Sequence, residues 1–120
     1  MTFCRFEIAD VTKRVSLEPC DVAFTIHALE QIPDDFPRAV DNMLALSGKG
    51  TVFFEPVWER FPKNLLGLAA RFRRYNANYL NGLLTDLESR SGVRIAHAEA
   101  MATVGNPLNH TVEIVVVPGA

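Results

Sequence analysis

The chain has 120 residues, of which 48 % are hydrophobic and 22 % are charged, and its formal net charge is −2. This balance predicts one small globular domain over residues 1–120, and the slight negative charge argues against nucleic acid as the main partner. No apolar run reaches the ~18 residues that a membrane-spanning helix needs. The N-terminus lacks the basic region followed by an apolar run that is typical of a signal peptide. We therefore expect no membrane partner and a cytoplasmic location.

The two cysteines are too few for a disulfide scaffold. Together with the three histidines they show none of the paired short spacings that structural zinc sites use. We expect no metal site.

The first segment contains a candidate binding residue. Residues Thr2 to Ile8 alternate loosely in polarity, which predicts a short strand followed by Asp10 and Val11. An Asp just past a strand can accept a hydrogen bond from an exocyclic amine of a ligand, or it can cap the turn from Thr12 to Ser16. The residues leave both roles open.

A strand, a helix and a second strand follow. Asp21 to Ile26 is almost entirely apolar, which predicts a strand buried on both faces of a parallel sheet. A helix is predicted to begin at Asp34-Asp35 and to run to Leu46, where the turn Ser47–Gly50 ends it. The second buried strand is predicted over Thr51 to Glu55. In open α/β sheets, ligands bind at the carboxyl ends of such strands.

Polar residues stand at both of these strand ends. Thr25, Ile26 and His27 end the first strand, and Glu55 ends the second. An imidazole there can act as a general base or orient a substrate, whereas the alternative is a hydrogen-bonded structural histidine. Glu55 can hold a substrate hydroxyl or amine, or pair with an arginine. An unrelated α/β enzyme using His27 and Glu55 as an acid–base pair is a further hypothesis, which requires both side chains to reach one substrate.

The last part of the chain predicts two helices and two strands. Leucines at spacings of three and four indicate helices over Asn64 to Arg74 and over Asn78 to Arg90. Val93 to Thr103 and the β-branched run His110 to Val117 are typical of strands. Because their connection is short, we expect them to pair antiparallel.

The segments LEPCDVAFTIHALEQIPDD and LALSGKGTVFFEPVWE resemble the second half of a class I S-adenosylmethionine-dependent methyltransferase. That family shows an Asp-Val-Val-type fourth strand, a Leu-Glu-His-Ile/Leu-Pro-type turn, a helix, a Gly-Gly-type turn and a fifth strand with a polar end. The resemblance extends from about Phe6 to Val117. It implies an α/β fold with a partial Rossmann-like methyltransferase sheet, mostly parallel with a C-terminal antiparallel hairpin, and with helices on the faces.

The resemblance also implies S-adenosylmethionine as the cofactor and a small molecule as the methyl acceptor. Asp10 resembles the acidic residue that follows the third strand in the family and contacts the adenine amino group. The implied site residues are Asp10, Val11, Thr25 and Ile26 for the cofactor, His27 for catalysis, and Glu55, Trp58 and Tyr75 for the substrate.

The chain departs from the family in lacking the Gly-rich loop after the first strand and the acidic residue after the second. Activity is therefore expected to need a missing N-terminal segment; the alternative is a non-catalytic, methyltransferase-like interaction subunit. Without the family's first strands, the edge Val22–Ile26 is left unpaired. Because bare apolar edges recruit strands, we expect Phe3 to Ile8 to pair with it, or a homodimer or partner chain to form there.

Overall fold

The computed structural model describes residues 3–57, 80, 82–106 and 109–119. These residues form one four-stranded sheet with two helices and one 3-10 turn. The strands are β1 (Cys20–Ile26), β2 (Ser47–Glu55), β3 (Val93–Asn106) and β4 (Asn109–Pro118). The helices are α1 (Phe36–Leu46) and α2 (Leu83–Ser89), and the 3-10 turn is Leu29–Gln31.

The strand order in the sheet is β1-β2-β4-β3. β1 and β2 are parallel, while β4 is antiparallel to both β2 and β3. The α/β class and the C-terminal antiparallel hairpin are confirmed. The prediction of a mostly parallel sheet is not matched by the described strands, because only one of the three neighbouring strand pairs, β1 with β2, is parallel. The hairpin partner β4 instead returns beside β2, which makes that contact antiparallel as well.

The hydrophobic core lies on one face of the sheet. Phe53 of β2 is opposite Ile114 of β4, and both side chains are fully buried. Val40 of α1 and Leu87 of α2 belong to the same buried cluster. Both described helices therefore cover the same face of the sheet.

The predicted N-terminal strand is absent from residues 3–8. Phe3, Phe6 and Ile8 are 91 %, 90 % and 106 % exposed. The expectation that this segment pairs with β1 is therefore wrong, and β1 is an edge strand of the described sheet. Alternating polarity is a local signal, whereas a strand also needs a neighbour to bond its backbone.

β1 is covered on one face only, which corrects the prediction of burial on both faces. Ala23 and Thr25 are level with core-facing residues of β2 and are half-buried. Val22, Phe24 and Ile26 point to the opposite face and are 51 %, 63 % and 62 % exposed. Strand-like composition predicted the strand but carries no information on what covers it.

The unit from β1 to β2 otherwise follows its prediction. α1 ends at Leu46 as expected and has proline in its first turn, where the missing N–H is tolerated. The Asp35 side chain makes no capping hydrogen bond. The predicted turn Ser47–Gly50 is instead the beginning of β2.

The second predicted helix, over Asn64 to Arg74, lies outside the described residues. Of the third, over Asn78 to Arg90, the segment Leu83–Ser89 is helical and follows Gly82, whose φ is +89°. None of the helices within the described ranges is both long and apolar enough to cross a lipid bilayer.

Replacement of Gly92 by alanine is expected to lower the free energy of unfolding by about 1 kcal/mol. Gly92 lies in the turn between α2 and β3 with φ of +79°, a conformation that a Cβ atom disfavours even though no atom lies within 4 Å of it. Urea denaturation followed by circular dichroism measures the change. Gly48→Ala is the control, because its added Cβ makes only an ordinary contact at 3.7 Å. An equal loss in both variants would contradict this explanation.

Candidate functional site

The carboxyl ends of β1 and β2 meet at a sharp turn of the chain. His27 follows β1 with φ of 48°, in the left-handed region that non-glycine residues seldom adopt. Its backbone N–H donates to the carbonyl of Phe54, at 2.9 Å, which continues the pairing of β1 with β2. The turn places the imidazole and the following 3-10 helix above the end of β2, where Glu55 stands.

Both nitrogens of the His27 ring make hydrogen bonds. Nδ1 lies 2.8 Å from Oε1 of Glu30, and Nε2 lies 2.7 Å from Oγ1 of Thr111. Because a carboxylate only accepts, Nδ1 carries a proton and donates it to Glu30. In a neutral ring Nε2 accepts the hydrogen bond from the Thr111 hydroxyl, whereas in a charged ring Nε2 donates to the Thr111 oxygen.

This network joins three segments of the chain. The His27 side chain is 30 % exposed, whereas those of Glu30 and Thr111 are almost fully buried. The arrangement matches the hydrogen-bonded structural histidine, and it leaves part of the His27 side chain exposed to solvent. The catalytic role of His27 stays a prediction.

Glu55 lies directly beneath the turn and has no exposed surface. Its Oε1 accepts hydrogen bonds from the backbone N–H groups of Ala28 and Leu29, at 3.0 and 3.2 Å. Burial raises the pKa of the Glu55 carboxyl, and the Thr25 hydroxyl and the nearby amides offset this only in part. Glu55 thus supplies the hydrogen-bond acceptor for the backbone N–H groups at the start of the 3-10 helix.

The other carboxylate oxygen of Glu55 has no hydrogen-bond partner. Oε2 of Glu55 and Oγ1 of Thr25 are both buried without a hydrogen-bond partner. The Thr25 hydroxyl lies near enough to lower the pKa of the Glu55 carboxyl, but the two groups do not have the geometry of a full hydrogen bond. In this conformation Glu55 presents no surface to a substrate, so the requirement of the acid–base hypothesis with His27 is not met.

Asp10 and Val11 lie in a turn that is tied to α1. Oδ1 of Asp10 accepts from the backbone N and the hydroxyl of Thr12, at 3.0 and 2.7 Å, and these bonds lower its pKa. Nδ2 of Asn42 donates to the carbonyls of Val11 and Lys13, at 2.6 and 2.7 Å. The turn-capping role of Asp10 is therefore present in the structure.

The turn that holds Asp10 is not at the His27 edge. Asn42 lies about 9 Å along α1 from Phe36, at 1.5 Å per residue. Because α1 runs from the carboxyl ends of the strands towards their amino ends, Asn42 holds this turn away from the end of β1. Thr25, His27 and Glu55 are brought together at this edge, and the Ile26 side chain points to the opposite face of the sheet. Asp10 and Val11 are held elsewhere.

The remaining predicted residues are placed as follows. Ile26 is 62 % exposed at the end of β1, and Thr25 faces Glu55 on the core side. Trp58 and Tyr75 lie outside the described residues. Their substrate-side roles, and the cofactor roles of Thr25 and Ile26, stay predictions.

Two members of the network, Glu30 and Thr111, were not predicted as site residues. Glu30 is three residues after His27, and this spacing within a turn was the available signal. Thr111 is 84 residues from His27 and reaches it only because β4 lies next to β2. No local pattern could have identified that contact.

Comparison with known proteins gives a match in structure and none in sequence. No family model matches the chain, and no curated protein does. The fold is similar to magnesium protoporphyrin IX methyltransferase from Synechocystis PCC 6803, solved with bound SAH, with a TM-score of 0.63 and 12 % identity. The match covers 92 % of this chain and 49 % of that chain. This chain therefore has a methyltransferase-like fold that spans about half the length of the methyltransferase it matches.

Proposed function

We propose that this chain is part of an S-adenosylmethionine-dependent methyltransferase that acts on a small-molecule acceptor. The observation that supports the proposal is the fold match over 92 % of the chain to a methyltransferase solved with bound SAH. Because that match covers only 49 % of the other chain, we further propose that activity needs an additional segment. Positioning of the reacting groups supplies much of the rate in such reactions, and half of a site cannot provide it.

The residues at the end of β1 fit one wall of a cofactor site. Ile26 offers exposed apolar surface there, and the turn at His27 leaves part of the imidazole accessible. Asp10 keeps an exposed carboxylate, but its turn is tied to α1, so its proposed contact with adenine requires that turn to move. When bound, S-adenosylmethionine would supply an activated methyl group.

In this proposal His27 handles the acceptor proton. Glu30 holds the ring with the proton on Nδ1, so Nε2 is the basic nitrogen. The acceptor O–H or N–H would lose its proton to Nε2, and S-adenosylmethionine would supply the methyl group from its sulfonium sulfur and leave as the neutral thioether. The Thr111 hydroxyl rotates away as this happens. Trp58 and Tyr75 are proposed for the substrate side.

The test is a titration of the 120-residue chain with S-adenosylmethionine, followed by amide NMR. We expect weak binding, with a Kd of about 1 mM or more, because only one wall of the site is present. The shifted amides should be those of Ile26, His27 and Leu29, whereas Glu99 on the far strand should not move. ATP is the matched control, because it shares the adenosine but lacks the methionine part.

Two outcomes would contradict the proposal. The absence of any shift at about 10 mM cofactor would remove the proposed cofactor site from this chain. A calorimetric Kd below about 100 µM would show instead that the chain binds cofactor well without a further segment.

A second candidate is a non-catalytic, methyltransferase-like interaction subunit. The uncovered edge and face of β1 favour it. It would stand if the chain fails to bind S-adenosylmethionine but still binds a partner through β1.

A further inference from the structure

β3 forms the edge of the sheet that lies farthest from β1. It pairs with β4 on one side, and the described part of the chain places no strand on its other side. Backbone N–H and C=O groups that point to a free edge can bond a strand of another chain. The segment of residues 93–100, which is paired with β4 along its length, can therefore accept a further strand on its free side.

This segment contains a β-bulge at Ala96. Ile95 and His97 are two steps apart along β3, yet they lie opposite two neighbouring residues of β4. The extra residue shifts the alternation of side chains by one position, so that it does not continue regularly across the bulge. As a result, the order of faces along residues 93–100 is the same when the segment is read from either end.

Because of the bulge, Arg94 and Glu99 lie on the same face of the sheet. Arg94 lies opposite Val117 of β4, and Glu99 lies opposite Glu113. Both of these β4 residues alternate with the fully buried Ile114, so they point away from the core. Arg94 and Glu99 are therefore both on the face opposite α1 and α2, and both side chains are exposed.

These two charges have no partner of opposite sign within the described part of the chain. None of the ion pairs there includes Arg94 or Glu99. Glu99 instead lies directly opposite Glu113, and like charges across a strand pair are unfavourable. Nε2 of His97 lies 3.8 Å from Oε2 of Glu113, which places this ring next to Glu113. A cation beside Glu99 would be stabilising.

We propose that β3 pairs antiparallel with β3 of a second copy of this chain, with the bulge at the centre. In this register Arg94 of each copy lies opposite Glu99 of the other, which gives two ion pairs related by a two-fold axis. On the core-facing side, Ile95 of each copy lies opposite Ala98 of the other. The bulge is essential to this match, because residues five positions apart in a regular strand face opposite sides.

A cleft on the core-facing side lies at the same edge. It has a volume of about 310 Å³ between α2 and β3, and its apolar lining includes Leu84, Leu87, Ile95 and Ala98. A two-fold axis perpendicular to the sheet keeps the helices of both copies on one face. β3 and α2 of the second copy would therefore adjoin the cleft and bury part of its apolar lining.

This contact is separate from any contact that uses β1. The strand order β1-β2-β4-β3 places the two edges at opposite ends of the sheet. Pairing through β3 would join two four-stranded sheets and leave the β1 edge of each copy unchanged. The proposal requires neither cofactor binding nor catalysis, so it stands or fails independently of the proposed function.

Sedimentation equilibrium of the 120-residue chain measures the association. We expect a monomer at about 1 µM and mostly a dimer at about 500 µM, because one strand pair makes a small interface. Amides of residues 93–100 that exchange fast in the monomer should exchange about threefold or more slowly in the dimer. A chain that stays monomeric at about 1 mM would overturn the proposal. A dimer that protects the amides of β1 instead would overturn it as well.

Charge reversal tests the register. Arg94→Glu should weaken the dimer about tenfold or more, because both contacts then place two carboxylates opposite each other. Glu99→Arg should weaken it by a similar factor, since both contacts then join two guanidinium groups. An equimolar mixture of the two variants should associate about as tightly as the parent chain, because each contact again joins opposite charges. Arg38→Glu is the control, since it changes the net charge equally at an exposed position of α1.

The double variant Arg94→Glu/Glu99→Arg gives a second test within one chain. It exchanges the two charges, so its homodimer should form about as tightly as that of the parent chain. It also replaces the mixture should either single variant fail to fold by circular dichroism. Single variants that dimerise like the parent chain would overturn the proposal. Failure of both the mixture and the folded double variant to dimerise would overturn it too.

Discussion

Replacement of Glu55 by alanine is expected to lower the free energy of unfolding by about 2–4 kcal/mol. The fully buried carboxylate accepts two backbone hydrogen bonds, from Ala28 and Leu29. Alanine would leave both donors without an acceptor and would open a cavity beneath the turn. Because that turn positions His27, the variant should also lose the hydrogen bonds that join the imidazole with Glu30 and Thr111.

Glu55→Gln should separate the shape of this side chain from its charge. A glutamine oxygen can accept the same two backbone bonds, and its NH₂ group can donate to the unpaired Thr25 hydroxyl. Burial raises the pKa of Glu55 above its ordinary value of 4.5 in the folded chain. We therefore expect Glu55→Gln to match or exceed the stability of the parent chain at neutral pH.

The raised pKa also gives a direction to the pH dependence. The folded chain holds the Glu55 proton more tightly than the unfolded chain does, so the proton's contribution to stability is fully present below pH 4.5. It is lost as pH rises through the folded pKa. Urea denaturation from pH 4.5 to about 8 should show the parent chain losing stability relative to Glu55→Gln. A difference that is constant, or that changes in favour of the parent chain, would refute this assignment.

Replacement of Arg90 by alanine is expected to lower the free energy of unfolding by about 2 kcal/mol. Its guanidinium joins α2 to the start and middle of α1. Nε donates to Asp86 at 2.7 Å, Nη2 donates to the carbonyl of Pro37 at 3.1 Å, and Nη1 donates to Asp41. The Arg90 side chain is only 20 % exposed, so its pairing with the half-buried Asp86 is little screened by solvent.

Arg90→Lys should recover less than half of the free energy of unfolding that Arg90→Ala loses. A single ammonium cannot reproduce the planar fork that contacts three partners in different directions. Arg38→Ala is the matched control, because Arg38 is an exposed arginine of α1 and such surface changes stay within about 0.5 kcal/mol. Urea denaturation of the three variants compares them directly. Equal losses for Arg90→Ala and Arg38→Ala would show that the guanidinium contacts do not contribute.

The Glu55 and Arg90 predictions concern different parts of the structure. Arg90 holds α1 and α2 together on the covered face of the sheet, whereas Glu55 holds the turn at the ends of β1 and β2. A loss of cofactor binding in Glu55→Ala without a similar loss in Arg90→Ala would show that the turn matters beyond global stability. Both variants should be compared well below their unfolding midpoints.

The elements with strong local patterns could be predicted from the sequence. The apolar run to Ile26, the helix ending at Leu46 and the β-branched run to Val117 each formed the expected element. The antiparallel hairpin followed from the short connection between its strands. The strand predicted to end at Ile8 is absent from residues 3–8, because no neighbouring strand bonds to the backbone of this segment.

The candidate site was predictable only in part, for a related reason. The polar ends of β1 and β2 placed Thr25, His27 and Glu55 together correctly, since parallel strands end at the same edge. The roles of their side chains depended on contacts across the fold. Glu55 was predicted to face a substrate but lies buried under the turn, where it accepts hydrogen bonds from Ala28 and Leu29.

The positions of β1, α1, β2 and the closing hairpin follow from the local sequence, because periodicity and composition act over neighbouring residues. The tertiary fold alone brings β4 beside β2, which places Thr111 next to His27 from 84 residues away. It also decided that Val22, Phe24 and Ile26 stay uncovered, although their apolar run is typical of a buried strand. Burial is a property of what packs against a residue, and that depends on distant segments rather than on the residue's neighbours in sequence.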